Sequence, residues 1–310
     1  MQKLIPYIKI ARIDHWFKNV FMLPGVLVAI YIDHIPINAS LFFNIVLALL
    51  ALGLVASSNY VINEILDAEK DKHHPVKKNR PVPSGQIHVP TGLILWVALA
   101  LAGLVVAWSI NGSVFWCSLA LWVMGCLYNI PPVRSKEKPY LDVLSESVNN
   151  PLRLLIGWYA TSTALLAPIS LVIAYWMIGA FFMAAKRYAE YRKINDPVRA
   201  AAYRASFAHY NGERLLISII YYIAAFGLFL GIFLIRYRIE LIVGIPFIAG
   251  VVTWYLHLTF QPDSPVQYPE KLYKETSFVA FTLISVIICV LLLYIDIPLL
   301  GQYFAMTSAH

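Results

Sequence analysis

Charge is what this chain has least of. Only 13% of its 310 residues are Asp, Glu, Lys or Arg, where soluble domains carry roughly a quarter; 60% are hydrophobic and the mean hydropathy is +0.68. That composition excludes a soluble globular protein. Cysteine is also scarce. Cys117, Cys126 and Cys289 fall inside apolar runs with no metal-ligand spacing, which leaves them as packing residues. No phosphate-cradling Gly-rich loop, nucleophile elbow or HExxH helix is present. Low-complexity tracts and linkers rich in Gly or Ser are missing too, so residues 1–310 are expected to form a single integral membrane domain. The N-terminal MQKLIPYIKIARIDHWFK lacks a signal-peptide apolar core followed by a small-residue cleavage site, and reads instead as an amphipathic arm.

What the chain has in abundance is apolar runs. A helix crosses about 30 Å of hydrocarbon with roughly 17 to 25 residues. Runs of that kind lie near 19–35, 41–62, 90–110, 113–130, 143–162, 164–185, 215–235, 240–260 and 277–299, so an all-α, polytopic bundle of nine transmembrane helices is expected. The fifth is unusual: Glu146, Asn149, Asn150, Pro151 and Arg153 would be costly against lipid, so this span must look inward or be partly wet. Of 24 basic residues, 21 fall in segments that share one side, and only Arg236 and Arg238 lie in an opposite loop. By the positive-inside rule that side is cytoplasmic, with the N-terminus inside and the C-terminus outside. The formal charge of +7 therefore reports topology and attraction for anionic lipid or polyphosphate, with no nucleic-acid partner implied.

Three cytoplasmic helix ends concentrate the polar residues. In NYVINEILDAEKDKHHPVKKNRP, Asn59, Asn63, Asp67 and Asp71 recur every four residues and share one helix face. Stacked acids repel, and a divalent cation offsets this; two carboxylates plus the Asn63 amide oxygen suit Mg²⁺, which keeps several waters and bridges to substrate phosphates. A plainer reading pairs the acids with Lys70 and Lys72 on a solvated helix end. Spacing leaves both open. His73 and His74 could be ligands or solvated loop residues.

In LYNIPPVRSKEKPYLDVLSESVNNPLR, whose second residue is Tyr128, the residues Asp142, Glu146 and Asn150 repeat the ladder on the way into the membrane. Arg134, Lys136 and Lys138 precede them in a loop stiffened by Pro131, Pro132 and Pro139, and Arg153 follows. Two such ladders could face each other across one cavity, since four buried polar groups in one span need partners. At the third end, Lys186 and Glu190 form an i, i+4 pair with Arg187 beside them, placed to reach a phosphate. Lys18 and Asn19 enter the first span ahead of a Pro24-Gly25 break expected to loosen its helix, with His15 and Trp16 as interfacial anchors.

The stretch NEILDAEKDKHHPVKKNRP resembles the first Asp-rich motif of the UbiA superfamily of intramembrane prenyltransferases, NDxxDxxxD followed by a basic tail ending in Arg-Pro. YNIPPVRSKEKPYLDVLSE looks like that family's second motif region. Glu64 stands where the first motif commonly has Asp, and the second reads DxxxE with Asn150 following, which puts a second metal site in doubt. HWFKNVFMLPG, DKHHPVKKNRP and AAKRYAEYR look most similar to the superfamily's polyprenyl-phosphate phosphoribosyltransferases.

The resemblance implies an all-helical bundle with a central cavity open to the cytoplasmic side, in a bacterial inner membrane. It implies a Mg²⁺-dependent transferase in which Asn63, Asp67 and Asp71 hold the ion on a leaving diphosphate. Lys18, Lys77, Arg80, Lys136 and Lys186 would supply positive charge, and Asp142, Glu146 or Glu190 would orient the reacting group; Asn19, Tyr128, Asn150, Arg153 and Arg187 complete the expected substrate contacts. The preferred reaction moves 5-phosphoribosyl from its diphosphate to a polyprenyl phosphate. The alternative moves a polyprenyl group from its diphosphate to an aromatic or other small acceptor. An ion-coupled transporter is the competing class, but its ion-binding groups would sit at mid-bilayer on broken helices.

Overall fold

The computed structural model describes residues 5–72 and 77–304, so His73 and His74 lie outside the described residues. Among the described residues all regular structure is helical. The chain divides into two compact units, residues 1–167 and 168–310.

The first unit comprises α1 (Ile5–Ile10), a 3₁₀ segment (Ile13–Met22), α2 (Leu23–Ile32), α3 (Ala39–Lys72), α4 (Val89–Ile110), α5 (Gly112–Asn129), α6 (Leu141–Ser147) and α7 (Asn149–Ala160). The 34 residues of α3 extend about 51 Å at about 1.5 Å each, roughly 20 Å more than the hydrocarbon needs. That surplus carries the acidic stripe clear of the lipid. Asn111 makes the tight α4–α5 junction possible: its Oδ1 accepts from the Val114 amide at 2.9 Å and caps α5, while its Nδ2 donates to the Tyr159 carbonyl at 2.8 Å.

That second bond, together with the Tyr128 hydroxyl donating to Glu146 at 2.9 Å, ties α6–α7 to α5 at both ends, so the pair runs antiparallel along it. The expected fifth span is therefore two short helices meeting at Val148, and it is not one of the eight helical stretches long and apolar enough to cross a membrane among the described residues.

Glycine decides how closely these helices approach. A Cβ on Gly25 would lie 2.0 Å from the Leu154 carbonyl oxygen, and one on Gly157 would lie 2.0 Å from that of Met22. The backbones of α2 and α7 thus touch through reciprocal glycines, a small-residue contact typical of lipid-embedded helices. The Pro24-Gly25 pair does not loosen the first span. Pro24 sits in the first turn of α2, where its missing N–H costs nothing, and Gly25 is a buried contact point. Trp16 likewise is no interfacial anchor: its indole donates to the Ser57 hydroxyl at 2.9 Å and packs on Gly53. Met22, Val26, Leu52, Val55, Leu121 and Ile156 form the apolar core beneath these contacts.

The second unit comprises α8 (Ile169–Ile194), α9 (Pro197–Tyr203), α10 (Gly212–Tyr237), α11 (Ile245–Thr259), α12 (Thr276–Tyr294) and α13 (Pro298–Phe304). Its interior is aromatic, with Phe181 and Phe182 of α8 packed on Tyr255 of α11 and Tyr255 on Phe278 of α12. Arg238, an exception to the charge rule, is a structural hub. Its guanidinium donates to the Leu292 and Ile295 carbonyls at 3.0 and 2.8 Å and to Asp296 at 2.7 Å, and pairs with Glu240 at 3.1 Å. A cation so fully used to join α10 to α12 is explained by packing, and topology need not account for it.

Candidate active site

Helix α3 presents Asn63, Asp67 and Asp71 on one stripe, as the four-residue spacing requires, but their partners come from far along the chain. Asp67 Oδ1 accepts from Lys136 Nζ at 2.7 Å and from Arg134 Nη2 at 2.9 Å. Lys136 is almost buried and also donates to Asn129 Oδ1 at 3.0 Å, the same oxygen that accepts from Asn63 Nδ2. Asp71, 5% exposed, accepts from Arg80 Nη1 at 2.6 Å, with Lys77 Nζ 3.9 Å from its other oxygen. The plainer reading, acids paired to Lys70 and Lys72, is overturned: Lys72 binds Glu69 and Lys70 binds Glu137.

The loop that delivers Arg134 and Lys136 has two left-handed turning points, Arg134 at φ 33° and Tyr140 at φ 62°. Neither residue is favoured there, and the ionic contacts hold the loop in place. Arg134 also pairs with Glu137 at 2.9 Å. Burial alone would raise the Glu137 carboxyl; the hydrogen bonds from Lys70 and Arg134 outweigh it and hold the group below the usual carboxylate range.

Two successive residues at the end of α5 connect the ladders. Asn129 joins Asn63 and Lys136, while Tyr128 donates to Glu146. Ser135 and Ser145 add a hydroxyl contact of 2.7 Å between the loop and α6. The structure thus gathers Asn63, Asp67, Asp71, Lys77, Arg80, Tyr128, Lys136 and Glu146 at one end of the first unit. Asp142 is fully buried in the first turn of α6. Asn150 and Arg153 contact each other at 3.4 Å on α7. Asn59, which opens the stripe, serves packing: its side chain fills the space a Cβ on Gly125 would take, and it donates to the Leu121 carbonyl. Asn19 is buried in the 3₁₀ segment, with the Lys18 ammonium 6.0 Å from the Phe17 ring.

In the second unit Lys186, Arg187 and Glu190 share the last turns of α8. Arg187 is 1% exposed and reaches Glu190 Oε2 at 3.4 Å. Nearby, burial and then the Glu190 charge push the Tyr203 hydroxyl up to about 12.

Spacing gave no sign of Asn129, which sits in an apolar helix, nor did it set Arg134 apart from its basic neighbours. Glu64 was legible only as a departure from a motif. In the structure it is buried on the Asp71 side of α3, accepting from the Val82 amide at 3.1 Å.

The donor set of the stripe, one amide and two carboxylate oxygens, is chemically hard and fits Mg²⁺. Among the described residues no three His, Cys, Asp or Glu side chains converge to form an all-protein cage. Four cationic side chains already accompany Asp67 and Asp71, so an anionic co-ligand that draws those cations away favours a divalent ion there, with waters completing its shell.

These features define an integral membrane protein with a polar, cation-matched site at the end of its transmembrane helices. The chain belongs to the UbiA prenyltransferase family, whose profile matches residues 20–278. It is 32% identical over 188 residues to a decaprenyl-phosphate phosphoribosyltransferase of Mycolicibacterium smegmatis, covering 59% of this chain and 56% of that protein. A decaprenyl-phosphate phosphoribosyltransferase of Mycobacterium tuberculosis is 26% identical over 212 residues, 67% of each chain. The match thus spans between about half and two thirds of these relatives. In fold the chain is similar to a UbiA homolog from Archaeoglobus fulgidus bound to GPP and Mg²⁺, with a TM-score of 0.68 and 20% identity over 90% of this chain and 99% of that one.

Proposed function

We propose that the chain is a Mg²⁺-dependent transferase that moves 5-phosphoribosyl from phosphoribosyl diphosphate to a polyprenyl phosphate. The observation that carries this reading is the double engagement of Asp67 by Arg134 and Lys136 beside Asp71 held by Arg80. Acids and bases interleaved in this way suit a ligand that brings its own negative charge together with a cation. The names of the two relatives just described favour the phosphoribosyl donor.

In this reading Asn63, Asp67 and Asp71 would hold Mg²⁺, which when bound supplies charge neutralisation to the departing diphosphate. Arg134, Lys136, Arg80 and Lys77 turn from the carboxylates toward phosphate oxygens. Once turned on donor binding, they already face the leaving group when charge develops on it. An oxygen of the acceptor phosphate bonds to the anomeric carbon of ribose as the bond to diphosphate breaks. The acceptor is already an anion, so no strong base is needed. Tyr128 and Glu146 orient the ribose hydroxyls. The polyprenyl tail lies in lipid along the apolar helices. The charge pattern supports a cytoplasmic site, and with α6–α7 read as a ninth, broken crossing the N- and C-terminus would lie on opposite sides.

A second reading within the family is prenyl transfer to a small acceptor, favoured by the neighbour that holds GPP and Mg²⁺. Purified protein incubated with each labelled donor, with and without a divalent chelator, separates the two. Ribose label entering lipid, abolished by the chelator, supports the first reading; label passing from an allylic diphosphate to a small acceptor supports the second and refutes the first.

A further inference from the structure

The acid beside Asn63 is hydrogen-bonded to the backbone of the loop that follows. We infer that Glu64 is a positioning residue that anchors the loop after α3, so that Arg80 is presented to Asp71 and, in the function proposed above, to the donor's diphosphate. Glu64 is 2% exposed and its Oε1 accepts from the Val82 amide at 3.1 Å. The loop it holds is closed upon itself. The Arg80 carbonyl accepts from the Ser84 amide and hydroxyl, and the Pro81 carbonyl accepts from the Gln86 amide. Gly85 takes the left-handed φ of 74° that this turn needs.

A loop with so many internal bonds moves as one piece, and fixing one amide fixes all of it. Val82 and Ile87 bury their side chains against Val61 of α3 and Ile10 of α1, which sets the depth of the loop. Among the described residues its polar ties to α3 include Val82 N–H to Glu64 and Arg80 to Asp71, with the Lys77 ammonium 3.9 Å from Asp71 as well. Glu64 and Asp71 lie seven residues apart, two helical turns on nearly the same face, so they grip the loop at two points.

Chain length is the discriminating feature. Asp at this position is shorter by one carbon–carbon bond, about 1.5 Å, and from a 3.1 Å contact its carboxylate falls outside hydrogen-bond reach. Glutamine keeps both the length and an acceptor oxygen. An anchor therefore tolerates Gln and rejects Asp, whereas a metal ligand or an essential charge tolerates Asp and rejects Gln.

The test compares Glu64→Gln and Glu64→Asp in the full chain in detergent, by hydrogen exchange of the 80–86 segment and by steady-state kinetics. Expected is exchange about tenfold or more faster in Glu64→Asp, as a lost bond to a charged acceptor implies, and within about threefold of wild type in Glu64→Gln. With turnover measured, Glu64→Asp raises KM for the diphosphate donor several-fold more than it lowers kcat, and it adds nothing further in an Arg80→Ala background. Wild-type exchange in Glu64→Asp, or loss of protection in Glu64→Gln with retention in Glu64→Asp, overturns the inference. Should Glu64→Asp fail to accumulate, Glu64→Gln decides alone: protection kept supports the anchor and protection lost refutes it. If the wild type transfers neither label, the proposed function fails while the exchange measurement still decides the role of Glu64.

Discussion

Replacing Asp67 by Asn separates what this carboxylate does for the fold from what it does for turnover. Its two donors lie at 2.7 and 2.9 Å, and their side chains are only 9% and 14% exposed. A hydrogen bond to a charged group contributes about 1.5–3 kcal/mol, so the pair accounts for about 3–6 kcal/mol in gross terms. Much of that survives the substitution. Asn retains an uncharged acceptor, Lys136 keeps Asn129 at 3.0 Å, and Arg134 keeps Glu137 at 2.9 Å. The net loss is expected to be about 2–3 kcal/mol, arising mainly from a buried ammonium with no carboxylate beside it. Adding Lys136→Met removes that ammonium and should restore at least half of the loss. Turnover should behave differently, falling by about 100-fold or more in both the single and the double variant, because under the proposed function Asp67 would hold the divalent ion that compensates leaving-group charge. Unfolding in detergent and transfer of labelled donor measure the two quantities. Near-normal turnover in Asp67→Asn would refute the assignment of the site, and a double variant no more stable than the single would refute the electrostatic account.

Three further outcomes follow from the same geometry. Arg80→Met, which strips Asp71 of its 2.6 Å partner, should raise KM for a diphosphate donor about tenfold with a smaller fall in kcat, read by steady-state kinetics. Gly157→Ala would set a Cβ 2.0 Å from the Met22 carbonyl oxygen, and should lower stability by about 1–3 kcal/mol; Gly227→Ala, with nothing within 4 Å, is the matched control and should be neutral or better. The Glu137 carboxyl is held below its ordinary range in the folded chain, so its contribution is complete above the unfolded carboxylate value near 4.5 and is lost as pH falls through the lower folded value. Wild type should therefore lose stability faster than Glu137→Gln on acidification below about pH 4.5, seen as converging unfolding temperatures. Parallel curves would show that the Lys70 and Arg134 contacts do not hold the loop.

Much of this protein was decided by sequence taken a few turns at a time. Partition into lipid depends on the composition of about twenty consecutive residues, which is why eight of the nine apolar runs foretold membrane-length helical stretches, while α3 and α8 continue well past their runs and the fifth run folds as two short helices. The stripe of Asn63, Asp67 and Asp71 was equally local, because helix geometry alone puts every fourth residue on one face. Tertiary structure alone chose the partners. Arg134 and Lys136 lie 67 and 69 residues beyond Asp67, and no periodicity links them. They arrive there because α5 packs on α3 through Asn59 and Gly125, and because the loop turns left-handed at Arg134 and Tyr140. The same holds for Glu64, about 100° around the helix from Asn63, whose partner is the backbone of the following loop at Val82. Spacing fixes the side of a helix on which a residue stands; what meets it there depends on which other helices abut, and that is set by packing across the whole unit.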